Sequence, residues 1–217
     1  MKSVYLIWLI ALIQMSCQSD SGHSGSSLGT EVIIDYDTAL WAEVLPIEDK
    51  LIVDLKYATD QTPIGKAVYD CPRCFLTKEA SIGFHKMLNK INEDGYMVKI
   101  WDCYRPKSTQ SRILDNATDD RYQMNTMRGP MHVRGLAVDF TLCDLQGHEL
   151  DMGSEFDDLS KRASHIYMDL PKEILDRRRY LLNITREFGF QAIRNEWWHY
   201  NYRHSTAVMM DYKWSCN

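Results

Sequence analysis

Apolar residues recur along this chain at two different spacings, and each spacing predicts a different kind of element. Leu51-Ile52-Val53-Asp54-Leu55-Lys56-Tyr57 has the apolar density and β-branching of a strand, and Thr62-Pro63-Ile64-Gly65 breaks it. Ala80, Phe84, Met87, Leu88 and Ile91 recur at helical spacing, which predicts an amphipathic helix over 77–93 that Gly95 stops. Tyr96-Met97-Val98-Lys99-Ile100-Trp101 reads as a strand, and a second short helix is expected after Pro106. Val138-Asp139-Phe140-Thr141-Leu142 reads as a further strand. Pro171 at a first-turn position opens a helix that Gly189 closes, and Phe190-Gln191-Ala192-Ile193 then leads a strand into Glu196-Trp197-Trp198-His199. Strands and helices do not alternate regularly. The expected class is therefore α+β, a mainly antiparallel sheet with flanking helices, in one domain over 30–217 that contains no linker, repeat or low-complexity run.

The first 29 residues follow a different pattern. The run from Val4 to Ile13 is apolar, but it is shorter than the roughly 20 residues a membrane-spanning helix needs. It reads as an export signal over 1–16. Ser16 directly precedes Cys17, and a polar Gly/Ser-rich stretch follows, so the start resembles a bacterial lipoprotein signal with Cys17 as the lipidated residue. Gln14 departs from that pattern, since a branched aliphatic residue usually stands there; the competing reading is an ordinary cleaved signal. Residues 17–29 then act as a tether too polar to bury a core. Both readings export the domain to the bacterial cell envelope, and the lipid would be its one membrane contact, facing the periplasm or cell surface.

Composition narrows the function further. A formal charge of -5 leaves no basic surface to collect phosphates, so no nucleic-acid partner is expected. Export changes how Cys71, Cys74, Cys103, Cys143 and Cys216 are read, because oxidising compartments preserve disulfides. The Cys71-Pro72-Arg73-Cys74 pair lacks a second pair at zinc-finger spacing and a thioredoxin-like surround, so a structural disulfide of open connectivity is expected.

Three segments carry the candidate chemistry. His132 and Asp139 lie seven positions apart with small Gly135 and Ala137 between them, and Asp139 interrupts an apolar strand, where a carboxylate is costly without a cation or metal. Glu196 and His199 lie three apart. Two imidazoles and one carboxylate suit a zinc ion with an open coordination position, which is what hydrolytic zinc requires. Glu196 would then serve as general base, and Arg105, at a strand end before Pro106, as fixed positive charge for a carbonyl oxygen under attack. His165 and His204 remain spare ligand candidates, whereas His23, His85 and His148 read as ordinary surface histidines.

In order along 45–203, Asp54-Leu55-Lys56-Tyr57-Ala58-Thr59, Gly65 with Tyr69, Asp102 to Tyr104-Arg105-Pro106, His132-x-x-Gly135-x-Ala137-x-Asp139, Met152-Gly153-Ser154-x-Phe156-Asp157, Arg177-Arg178-Arg179 and Glu196-Trp197-Trp198-His199-Tyr200 resemble the VanX-type D-alanyl-D-alanine dipeptidases. These are zinc enzymes of the hedgehog/DD-peptidase fold group. The resemblance implies His132, Asp139 and His199 as zinc ligands, Glu196 as catalytic base and Arg105 as the group that stabilises the tetrahedral intermediate. It also implies Asp157 and Tyr57 as the residues that hold the dipeptide's free amino group, with Asp158 the alternative inward-facing acid. Pro130 stands where relatives carry Ser two residues before the first ligand, and the Cys71–Cys74 segment has no counterpart in cytoplasmic relatives.

The expected function is zinc-dependent hydrolysis of D-Ala-D-Ala or a close D,D-dipeptide. The competing functions are a D,D-carboxypeptidase or peptidoglycan endopeptidase of the same fold, and a non-catalytic zinc-stabilised binding module.

Overall fold

The computed structural model describes residues 34–62, 64–116 and 131–216. The expected signal over 1–16, the tether, Cys17 and Pro130 lie outside the described residues. Among the described residues no helix is long and apolar enough to cross a membrane.

A five-stranded sheet carries the fold. Its strands are β2 (Leu51–Val53), β4 (Met97–Asp102), β5 (Ala137–Cys143), β6 (Phe190–Ala192) and β7 (His199–Tyr202), ordered β2-β4-β5-β7-β6. Only the β2–β4 pair is parallel. A separate two-stranded antiparallel ribbon joins β1 (Trp41–Glu43) to β3 (Phe75–Thr77). These two strands of three residues each are too short to leave a periodic signal, and the sequence reading did not foresee them.

Strand β5 lies at the centre of the sheet, and all seven of its residues are buried. Side chains alternate between faces along a strand. Val138, Phe140 and Leu142 therefore point to one side, and Asp139 and Thr141 to the other. On the apolar side Phe140 meets Phe84 of helix α1 (Lys78–Glu93) and Tyr200 of β7. The helix forms where the apolar spacing predicts it, and Thr77 caps it by accepting a hydrogen bond from the Ala80 amide. Helix α3 (Lys172–Glu187) packs beside α1, burying Ile174, Leu181 and Ile184, with Pro171 as its N-cap residue rather than inside the first turn. Helix α2 (Lys107–Asn116) follows Pro106.

One expectation needs correction. The strand expected over 51–57 ends at Val53; its β4 partners run out at Ile100, and the chain turns through a short 3-10 helix, Lys56–Ala58, that buries Tyr57. The structural disulfide expected at the Cys71–Cys74 segment is present, and the fold supplies its partner. Cys71 bridges to Cys216, whereas Cys74, Cys103 and Cys143 are free and buried.

A candidate metal centre beside a buried acid

The polar side of the sheet is where the candidate residues meet. Antiparallel pairing sets Asp139 of β5 directly opposite His199 at the start of β7. His132 reaches the same point from a single 3-10 turn, His132–Arg134, just before β5. Gly135 ends that turn in the left-handed region at φ 66°, and a Cβ there would lie 2.5 Å from the Trp41 ring. Glycine is required on both counts, conformation and close approach.

The result is a tight set of donor atoms. His132 Nε2 lies 3.2 Å from Asp139 Oδ2 and 3.1 Å from His199 Nδ1, and His199 Nδ1 lies 2.9 Å from Asp139 Oδ1. All three residues are buried, and their ligand atoms lie within 4.8 Å of one another. The remaining ring nitrogens are held from behind. His132 Nδ1 lies 2.6 Å from the Cys103 carbonyl oxygen, and His199 Nε2 lies 2.8 Å from Asn201 Oδ1. With those outer nitrogens donating, both inner nitrogens turn lone pairs on one point, the orienting arrangement found behind metal-binding histidines. Two imidazoles and a carboxylate converging in a buried space fit zinc by donor type.

Electrostatics agree with a cation-seeking site. Burial raises the Asp139 carboxyl, but the neighbouring His132 and His199 outweigh it and hold that carboxyl well below the usual range. Burial pulls His199 down, yet the Asp139 charge and hydrogen bond override it and lift the imidazole to about 9. Asp139 and His199 thus sit as a charge pair whose shared proton a dication can displace.

Glu196 stands beside this cluster, with Oε2 3.9 Å from His199 Nδ1. Burial raises its carboxyl above the ordinary glutamate value, helped by the Asp139 charge and opposed by His199. The second acidic group is Asp157, in the left-handed region at φ 58°. Its Oδ2 accepts a 2.9 Å hydrogen bond from the Tyr57 hydroxyl. Burial, then the Asp139 charge, push this carboxyl up to about 8 despite that bond. Asp158 is committed elsewhere, accepting from the Ser160 amide and hydroxyl, so Asp157 is the inward acid.

Arg105 lies over the Tyr57 ring at 4.7 Å. Its Nη2 is 2.5 Å from Asp102 Oδ2, and its Nη1 donates to Gln110 at 2.9 Å. Asp102 is fully buried and also accepts from the Tyr69 hydroxyl at 2.6 Å. Between Ile100 and Asp102 the β4–β5 register slips, so a bulge turns Asp102 toward the site. Sequence reasoning assigned no role to Asp102, Tyr69, Gln110 or Asn201. Asp102 directly before Cys103 at a strand end was the visible signal, whereas the others are recognisable only by what they touch.

The spare histidines lie apart from the cluster. His165 is half-buried beside Tyr200, and neither of its ring nitrogens has a hydrogen-bond partner among the described residues. His204 is exposed, with its ring against Gly189 and Tyr202. Neither faces the metal-ligand atoms.

Comparison with known proteins gives a consistent picture. The Peptidase M15 family model, described as "D-ala-D-ala dipeptidase", matches residues 40–216. The D-alanyl-D-alanine dipeptidase of Escherichia coli (strain K12) is 36% identical over 165 residues, which is 76% of this chain and 85% of the relative. That of Enterococcus faecalis (strain ATCC 700802 / V583) is 34% identical over 168 residues, 68% of this chain and 83% of the relative. That of Enterococcus faecium is 33% identical over 168 residues, with the same coverage.

Proposed function

Given that this chain belongs to the Peptidase M15 family of D-alanyl-D-alanine dipeptidases, we propose that it hydrolyses D-Ala-D-Ala or a close D,D-dipeptide, with His132, Asp139 and His199 holding zinc. The observation that carries this assignment of roles is the convergence of those three ligands beside the Glu196 carboxylate, 3.9 Å away. Bound there, the metal supplies Lewis acidity to a carbonyl and to water.

The chain's own residues do the rest. Glu196 takes the proton of the attacking water and returns it to the leaving amine. Its raised affinity for protons, caused first by burial, suits a group that must both accept and donate near neutral pH. Arg105 offers positive charge to the carbonyl oxygen as it becomes anionic. The charge costs no reorganisation at that moment, because Asp102, Gln110 and the Tyr57 ring already hold the guanidinium.

Asp157 and Tyr57 bind the free ammonium of the dipeptide. A carboxyl held near neutrality by desolvation ionises when a cation arrives, so the site favours a charged amine over an acylated one. This argues for a dipeptidase over a carboxypeptidase acting on longer stems. Comparing cleavage of D-Ala-D-Ala with its N-acetyl form, before and after chelation and zinc return, tests both the reaction and the exclusion. Equal rates on the two substrates would refute the ammonium site.

The cellular setting is a second part of the proposal: an exported, lipid-anchored envelope protein attached through Cys17. The signal-like start and the Cys71–Cys216 disulfide support it, since such bonds persist in oxidising compartments. Metabolic labelling with an acyl analogue should mark the parent chain and leave Cys17→Ser unlabelled; equal labelling would exclude that anchor.

A further inference from the structure

The turn that carries His132 is held from outside by an irregular segment. Residues 203–216 form no helix and no ladder with a strand, yet they run across the molecule beside the His132–Arg134 turn. The Met210 amide donates to the Val133 carbonyl at 2.9 Å, and the Met210 carbonyl accepts from the Lys107 amide at 3.2 Å. Arg134 Nη1 donates to the Ala207 carbonyl at 2.8 Å. One residue thus joins the metal-ligand turn to the start of α2, the helix whose Gln110 holds Arg105.

The segment is itself anchored at its far end. The Tyr212 ring stacks on Trp41, whose ring also fills the space that Gly135 leaves. Trp214 packs on Phe75 and Tyr69 and donates through its indole N–H to the Cys71 carbonyl. Arg73 Nη1 donates to the Ser215 carbonyl at 3.0 Å, and Cys216 is bonded covalently to Cys71. An irregular segment with no ladder of its own keeps its position only through such spaced contacts, and a covalent link that closes a long loop removes most of its alternative conformations.

We propose that the strap 203–216, locked by the Cys71–Cys216 bridge, is a positioning device for the metal ligand His132. Its role is to hold the Val133 and Arg134 turn so that the His132 imidazole meets Asp139 and His199. Among the described residues the strap makes no hydrogen bond to a ligand atom, so it acts through the turn. The inference rests on the reading of His132 as a zinc ligand, but the mechanical link between strap and turn does not.

The test uses the full chain in three variants. Cys71→Ser with Cys216→Ser removes the lock, Arg134→Met removes the Ala207 contact while leaving the disulfide intact, and Leu181→Ala destabilises the core without removing any of the strap's contacts to the turn. Zinc affinity is read by competition with a chromophoric chelator, at a temperature where near-ultraviolet dichroism matches the parent. Loss of outer-shell support typically weakens metal binding about 10- to 100-fold, and that weakening is expected for the first two variants only. In the metal-free chain, hydrogen exchange at the Arg134 and Gly135 amides should quicken in the same two variants and stay unchanged in Leu181→Ala. If the double-serine chain fails to fold, Arg134→Met decides. Parent zinc affinity in Arg134→Met, or an equal loss in Leu181→Ala, would overturn the proposal. A parent chain that binds no zinc would instead overturn the assignment of His132, and the exchange rates would still judge the strap.

Discussion

Tyr57 and Asp157, a hundred positions apart in the chain, meet through a 2.9 Å hydrogen bond from the phenol to Oδ2. The bond stabilises the ionised carboxylate, while burial works against it and dominates. Removing the phenol should therefore leave the carboxyl still harder to ionise. Tyr57→Phe is expected to raise KM for D-Ala-D-Ala about 3- to 10-fold, the equivalent of one net hydrogen bond, with a smaller change in kcat. Asp157→Asn should lose most activity on the free dipeptide and most discrimination against the N-acetyl form. Steady-state kinetics on both substrates checks this, and undiminished discrimination in Asp157→Asn would contradict the ammonium assignment.

Glu196 and His132 separate chemistry from metal binding. Glu196→Ala should keep zinc at one equivalent and lose about 10²- to 10⁴-fold in kcat, the range expected for losing a general base. His132→Ala should lose both metal and hydrolysis. Elemental analysis of the purified variants, read beside the kinetics, distinguishes the two; full zinc occupancy in His132→Ala would remove that residue from the ligand set.

Gly135 bears directly on the metal-ligand turn. Gly135→Ala introduces a Cβ at a left-handed φ of 66° and 2.5 Å from the ring of buried Trp41. Strain and clash together should cost about 2–4 kcal/mol of stability and weaken zinc binding, because the same turn sets the His132 direction. Thermal unfolding and a chelator titration measure the two effects, and a variant as stable as the parent would refute the close packing.

His165 gives the pH dependence. Burial first, then the Arg178 charge, lower its imidazole to about 4 from an ordinary value of 6.5. Between those two values the unfolded chain takes up a proton that the folded chain refuses. Stability should accordingly fall as the pH drops from 6.5 toward 4, by at most about 3 kcal/mol from this group. In His165→Leu that component of the slope should vanish. Urea unfolding of metal-free parent and variant at pH 7 and pH 4.5 reads the difference, and parallel profiles would rule the group out.

Helices α1 and α3 and strands β4 and β5 were legible because their apolar spacing repeats over several turns or pleats, and because Thr77, Gly95 and Pro171 mark where they stop or start. Asp139 was legible for a related reason: one acid in an otherwise apolar buried strand demands a cation. The short strands β1 and β3, and the turn that cuts the first expected strand at Val53, carry too few residues for a period to show. Among the site residues, His132 and His199 could be named from their chain neighbours. Tyr69 could not, since its role is a contact with Asp102 33 positions away; Asp102 and Asn201 lie three and two positions from the Arg105 and His199 they hold, but that proximity alone assigns no role.

Residue types and local spacing were enough to specify the class of chemistry, because ligand softness, the need to pair a buried acid and the helical period are all properties of short stretches. Which groups meet was settled by folding. Sheet order sets Asp139 across from His199, a bulge brings Asp102 opposite Asp139, and Cys71 finds Cys216 from 145 positions away. No short-range rule encodes those encounters, since each depends on burying one continuous core before the polar side of the sheet has a shape.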